Sequence, residues 1–181
     1  MEIVNFTVLS EAQVVQAAQM LTDELPLGWP TLADAMQEIN EMLGCGPDSV
    51  FLCAVENGEV IGWAGLLHAY CKVYELHPLV VRHDWQRKGI GTILLNEIAN
   101  AAKEKGGLTL LAGADDEAPG GETSLANVDL YEDLPTKMAA FEPGTHQSAF
   151  YMKQGFTLVG VVPDANGIGK PDIQLAKRLY I

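Results

Sequence analysis

Between Met1 and Cys71 the chain has no lysine and no arginine, against ten acidic residues. From Ala114 to Thr136 there are again none, against seven acids. Nucleic acid and anionic membrane both require a basic face, so such tracts disfavour either as a partner and suit a cationic one. The total of −13 is less informative, since an acidic surface also keeps a protein in solution. Cysteine is scarce: Cys45, Cys53 and Cys71 are odd in number and show no Cys-x-x-Cys spacing. Neither a disulfide framework nor a zinc ribbon is therefore expected, and the thiols should be reduced and mostly buried. His68, His77, His83 and His146 do not pair with other ligand types at metal spacing, so no metal is expected. No apolar run approaches membrane-spanning length, and Met1-Glu-Ile-Val-Asn-Phe6 has neither the basic region nor the cleavage site of a leader. The expectation is a cytoplasmic protein.

Basic charge is instead gathered at one place. Leu79-Val-Val-Arg-His-Asp-Trp-Gln-Arg-Lys-Gly-Ile-Gly-Thr92 reads as an apolar strand entering a short basic loop and then a helix. Arg82, Arg87 and Lys88 surround this loop although the whole chain has only eleven Lys and Arg. Unpaired first-turn N–H groups and the positive end of the helix dipole would receive an anion there, with Gly89 and Gly91 leaving room for it. A Walker loop is excluded, because Thr92-Ile93 follows where a Lys-Ser/Thr pair is required. A dinucleotide fingerprint is excluded too, because Leu94 stands where the third glycine would be. A glycine easing a tight turn would look the same over six residues, so flanking sequence must decide.

At 181 residues and 48% hydrophobic, with no long linker, the chain is expected to be one domain, 1–181. Ser10 with Gln13 offers a capping box for a helix stopped near Pro26. Gly28-Trp29-Pro30 reads as a turn, and Thr31 with Asp34 caps a second helix ending at Gly44. Val50 to Glu56 and Glu59 to His68 read as strands joined by Asn57-Gly58, a strong hairpin signal. A strand from about Val73 to Arg82 leads to the loop. The helix after it should run to Lys105 with Ile93, Leu94, Ile98 and Ala101 inward. Leu108 to Leu111 reads as a short strand, followed by a long acidic segment, 114–145, with little periodicity. A helix near His146 to Lys153 and strands at Phe156 to Val162 and Ile173 to Tyr180 complete an order α-α-β-β-β-α-β-α-β-β. That order predicts an α/β fold, with a mixed central sheet flanked by helices.

Gln86-Arg-Lys-Gly-Ile-Gly91 fits the Gln/Arg-x-x-Gly-x-Gly/Ala pattern and resembles the acyl-CoA pyrophosphate loop of the GCN5-related N-acetyltransferases. Further blocks resemble one branch of them, the aminoglycoside 6′-N-acetyltransferases. They are Tyr74-Glu-Leu-His-Pro-Leu-Val-Val81, Gly113-Ala-Asp-Asp116, Thr123 to Glu132, Ala149-Phe-Tyr-Met-Lys-Gln-Gly-Phe156, Val159 to Gly167 and Lys170-Pro-Asp-Ile173. The resemblance covers most of the chain from about Gly28 onward. It implies an acetyl-CoA-dependent enzyme that acetylates a cationic small molecule, and it implies a homodimer.

By that resemblance Leu79, Val80, Val81, Gln86, Arg87, Lys88, Gly89, Ile90, Gly91 and Thr92 hold acetyl-CoA. The Leu79 N–H would face the thioester oxygen, and Tyr151 would protonate the departing sulfur. Glu75 would orient the substrate ammonium and take its proton through water, with His77 two residues on along the strand supporting it. Asp115 and Asp116 are expected as further contacts for a polycation, with Glu132 and Asp133 ranked below them. Each also has a plainer reading: Tyr151 as a core aromatic, His77 as structural, the aspartates as a solvated loop. Pro78, lacking an N–H, should either mark a bulge or sit in an edge strand. An acceptor such as a polyamine, or a non-catalytic acyl-CoA-binding module, would fit much of the same pattern.

Overall fold

The computed structural model describes residues 1–180. Two capping boxes start its first helices. Ser10 accepts from Gln13 N–H and Gln13 Oε1 accepts from Ser10 N–H at 3.0 Å, opening α1 (Glu11–Glu24). Thr31 and Asp34 do the same for α2 (Leu32–Leu43). Asn57 and Gly58, with φ of 51° and 84°, give the doubly left-handed turn that matches strand twist. They join β2 (Val50–Glu56) to β3 (Glu59–Tyr70). A strand absent from the sequence reading, β1 (Glu2–Asn5), pairs with β2, and β4 (Val73–Val81) pairs with β3. The helix after the loop is α3 (Ile90–Glu104).

The chain divides into two compact units, Met1–Leu108 with Tyr180, and Thr109–Leu179. In the first, the strand order is β1-β2-β3-β4, all antiparallel. Its core forms around Trp63, whose Nε1 donates to the Ala17 carbonyl at 3.1 Å and whose ring meets the edge of Phe6 at 5.4 Å. Leu21, Ile39, Met42 and Phe51 pack in the same cluster. Each fully buried large apolar side chain stabilises the fold by roughly 1.5–3 kcal/mol.

In the second unit β5 (Thr109–Asp115) pairs with β7 (Asp172–Arg178), which pairs with β6 (Thr157–Val162). Two short helices, α4 (Leu134–Ala139) and α5 (Ser148–Lys153), lie between β5 and β6 in sequence. The seven strands and their helices make the mixed α/β fold that the residue pattern implied.

Some expectations are corrected. The buried side of α3 is Ile90, Leu94, Leu95, Ile98, Ala99 and Ala102, while Ile93 is exposed. Apolar residues at 93–95, 98–99 and 101–102 allow two faces, and packing against the sheet selects one. β5 continues to Asp115, because its ladder with β7 runs to the Asp115–Asp172 pair. Only Cys53 is buried; Cys45 and Cys71 lie exposed, flanking regular elements rather than inside them. No helix among the described residues is long and apolar enough to cross a membrane.

Candidate active site

Six consecutive main-chain N–H groups, from Arg87 to Thr92, have no hydrogen-bond acceptor among the described residues. They span the end of the loop and the first turn of α3, whose first intrahelical bond is Ile93 N–H to Gly89 O at 3.0 Å. The chain turns through two left-handed residues to present them, Arg87 at φ 61° and Gly89 at φ 87°. Successive N–H groups in such a conformation form a concave anion site. A Cβ built on Gly89 would meet no protein atom within 4 Å, so the space beside it is open. Lys88, Gly89, Ile90, Gly91 and Thr92 are thus placed as a main-chain cradle, and the arrangement fits a pyrophosphate.

Two of the expected contributors play other parts. The side-chain amide of Gln86 is turned back into the loop, donating to Val81 O and Glu24 Oε2, both at 2.9 Å. Its main-chain N–H is used by His83 O at 3.2 Å, so Gln86 shapes the cradle and offers it no free donor. Arg82 does not add a free charge. Its guanidinium forks onto Asp84 at 2.7 and 3.2 Å and reaches Glu59 at 2.9 Å. Those hydrogen bonds hold the Asp84 carboxyl below the usual carboxylate range. Arg87 and Lys88 remain, exposed and outside any ion pair among the described residues, with the Lys88 ammonium 4.7 Å above the Trp85 ring.

Upstream of the loop, the β3–β4 ladder slips. Ala64 pairs with Leu79 and Leu66 with Leu76, which leaves His77 and Pro78 opposite the single residue Gly65. This is a β-bulge at Pro78, and the His77–Pro78 peptide is cis. The close approach requires glycine across the ladder, for a Cβ at Gly65 would lie 2.2 Å from the His77 carbonyl oxygen. Burial alternates along β4: Tyr74, Leu76, Pro78 and Val80 are buried, while Glu75, His77, Leu79 and Val81 are half-exposed.

His77 does not stand alone on that face. Its Nε2 is 3.4 Å from Glu38 on α2, Trp29 Nε1 donates to the same carboxylate at 3.4 Å, and the Trp29 and His77 rings are 6.0 Å apart. Glu38 and Trp29 were missed by the sequence reading. The only local signal was a tryptophan set in the exposed turn Gly28-Trp29-Pro30.

In the second unit Tyr151 is buried, its ring 5.3 Å from that of Phe150 and 5.4 Å from that of Phe156. Burial pushes its hydroxyl pKa up to about 12, so at neutral pH it stays protonated and has a proton to give. Among the described residues its hydroxyl has no hydrogen-bond partner, and it is not one of the fully enclosed unpaired atoms. Asp115 ends β5 exposed, accepting from Asn166 Nδ2 at 2.5 Å. Burial, and then the charge of Asp115, raise the pKa of nearby Glu117.

Asp116 fits neither the polycation contact expected of it nor the solvated-loop alternative. It is fully buried, and its carboxylate accepts from Glu122 N–H at 2.9 and 3.1 Å and from Thr123 N–H at 2.8 Å. It anchors the loop instead. His146 is buried as a tie between β5 and α5. Its Nε2 donates to Asp115 O at 3.0 Å, because a carbonyl can only accept, and Nδ1 then receives Ser148 O–H at 3.0 Å.

The loop, the bulge and the strand order can now be set beside known proteins. Residues 14–120 match the model of the acetyltransferase (GNAT) family. The chain belongs to that family. Members of this acetyltransferase family similar over the whole length include an aminoglycoside 6′-N-acetyltransferase solved with coenzyme A. It is 34% identical with a TM-score of 0.88, and the match covers 100% of this chain and 98% of that one. The aminoglycoside 6′-N-acetyltransferase from Enterococcus faecium is 32% identical with the same TM-score and coverage. Among curated proteins, aminoglycoside N(6′)-acetyltransferase type 1 of Stenotrophomonas maltophilia is 30% identical over 92 residues, 46% of this chain. That match spans 60% of the relative's length.

Proposed function

We propose that this acetyltransferase moves the acetyl group of acetyl-CoA onto the 6′-amine of an aminoglycoside, directly and without a covalent enzyme intermediate. The observation that carries the reading is the whole-length likeness, at 34% identity, to an aminoglycoside 6′-N-acetyltransferase that was solved with coenzyme A. The open row of N–H groups from Arg87 to Thr92 supports the same donor, since a pyrophosphate is what it would hold.

Acetyl-CoA supplies the activated thioester. The cradle and the Arg87 and Lys88 charges bind its phosphates, while Leu79, Val80 and Val81 line its path. Glu75 holds the 6′-ammonium and takes its proton through water, leaving a neutral nitrogen to form the new C–N bond. The Leu79 N–H stabilises the oxygen that becomes negative. Tyr151 then gives its proton to sulfur as the C–S bond breaks, and regains one from the nitrogen side through solvent. His77, steadied by Glu38, and the exposed carboxylate of Asp115 bind the remaining cationic groups. Residues 1–181 work as one catalytic domain, in a cytoplasmic homodimer, and the reaction confers resistance to the drug.

Free-thiol release from acetyl-CoA tests this with kanamycin A, its 6′-hydroxyl counterpart and spermidine as acceptors. Release with the amine and not the hydroxyl compound is expected. Release with spermidine alone would move the function to polyamines, and acetyl-CoA binding without release would leave a binding module.

A further inference from the structure

A carboxylate at the C-terminus of a helix faces the negative end of the dipole, and Glu24 is the last residue of α1 with no basic residue in that turn. Its oxygens are directed away from the helix to the loop that precedes α3. One accepts from His83 N–H at 2.6 Å, the other from Gln86 Nε2 at 2.9 Å. Gln86 spends its second amide hydrogen on Val81 O, so this exposed side chain joins the end of β4, the loop and the half-buried Glu24 of α1 in one knot. Hydrogen bonds to an ionised acceptor are the stronger kind. Directly after Gln86 comes Arg87, whose left-handed backbone is unfavourable for a residue with a Cβ and persists only where its surroundings fix it. Residues 83–89 bury little else: among them only Trp85 is even half-buried.

We propose that Glu24 is a positioning residue for the acetyl transfer. By clamping His83 and Gln86 it sets the left-handed turn at Arg87 and hence the aim of the N–H groups from Arg87 to Thr92, so that acetyl-CoA meets a preformed cradle. The inference rests on the reading of this loop as the acetyl-CoA site. It has a distinctive sign. A carboxylate near a pyrophosphate repels it, so neutralising Glu24 would tighten binding if charge alone mattered and weakens it if geometry does.

The test uses the full chain with Glu24→Ala, Glu24→Gln, Gln86→Ala, the double variant Glu24→Ala/Gln86→Ala, and Asp23→Ala as a control. Asp23 is an exposed neighbour bonded only to Gln19. Acetyl-CoA affinity is read by calorimetry, and KM for each substrate and kcat by thiol release. Glu24→Ala should raise the acetyl-CoA Kd and KM about tenfold, as loss of two charge-assisted bonds would. The KM for the amine should stay within about twofold, and Asp23→Ala should match the wild type. The double variant should be no worse than Gln86→Ala, because one clamp is broken once. Should Glu24→Ala fail to fold, Glu24→Gln keeps the bond from His83 but opposes two amide groups, and a weakening of a few-fold is expected. Unchanged or tighter acetyl-CoA binding in these variants, or equal losses for both substrates, would overturn the positioning role. A wild-type protein that does not bind acetyl-CoA would overturn the loop reading itself.

Discussion

Replacing Gly65 by alanine puts a methyl group where the two strands of the bulge come closest. The added carbon would sit 2.2 Å from the His77 carbonyl oxygen and 2.9 Å from Met42 Cε and Phe51 Cδ1. A carbon and a carbonyl oxygen rest at about 3.3 Å, so the strands must part by about 1 Å. The Met42 tip can move aside cheaply, but the carbonyl belongs to the backbone of β4 and Phe51 to the core. Overpacking of this kind costs about 1–3 kcal/mol, and the lower chain entropy of alanine offsets less than about 1. A net loss of about 2 kcal/mol, or roughly 4–8 °C in Tm for a chain of this size, is expected by calorimetry. Leu79 pairs with Ala64 immediately beside the bulge, so its N–H shifts with the strand. A misplacement of about 1 Å can cost on the order of a hundredfold in rate, and kcat should fall at least about tenfold. A variant that melts within a degree of the wild type and turns over at its rate would refute the packing argument. Thermal loss with intact kcat would instead remove the bulge from catalysis.

Gly89→Asp adds both a Cβ at φ 87° and a charge in the open cradle, and should raise the acetyl-CoA KM at least about tenfold with little change for the amine. Tyr151→Phe should lower kcat about a hundredfold, the usual worth of a general acid, in a thiol-release assay. The same residue gives a pH test. The folded tyrosine holds its proton to about 12 while an unfolded one releases it near 10, so wild-type stability falls between those values. Urea melts should show the wild type losing up to about 3 kcal/mol relative to Tyr151→Phe across that window. Asp116→Ala strands the N–H groups of Glu122 and Thr123, and should cost about 3 kcal/mol and open the following loop to proteolysis, read by cleavage rate.

What was legible in the sequence was local. The capping pairs at Ser10 and Thr31, the Asn57-Gly58 hairpin and the strand–loop–helix around Gly89 each carry their signal within a few residues, and each forms as read. What escaped was set by partners far along the chain. β1 has four residues, too few to show alternation, and exists because β2 offers it an edge. Asp115-Asp116 looks like a solvated acidic pair, yet a chain reversal six and seven residues on brings two N–H donors to the second of them. Glu38 meets His77 across 39 positions and Glu24 meets His83 across 59, and no spacing rule links such pairs. The α3 face was misread because its apolar residues satisfy two periodicities and the sheet beneath chooses between them.

The row of donors from Arg87 to Thr92 has a consequence for how the protein can change over generations. Every residue other than proline carries the same N–H, so the main-chain part of the proposed grip on a pyrophosphate survives codon substitutions that keep the backbone, even ones that would remove the charges of Arg87 and Lys88. That part needs the backbone conformation to be inherited, with its left-handed bends at Arg87 and Gly89 and the Glu24–Gln86 clamp that holds them. The half-exposed side chains of β4 and the acidic residue at the end of β5 have no such protection. Under the proposed function, substitutions there change the acceptor while the main-chain donors stay in place.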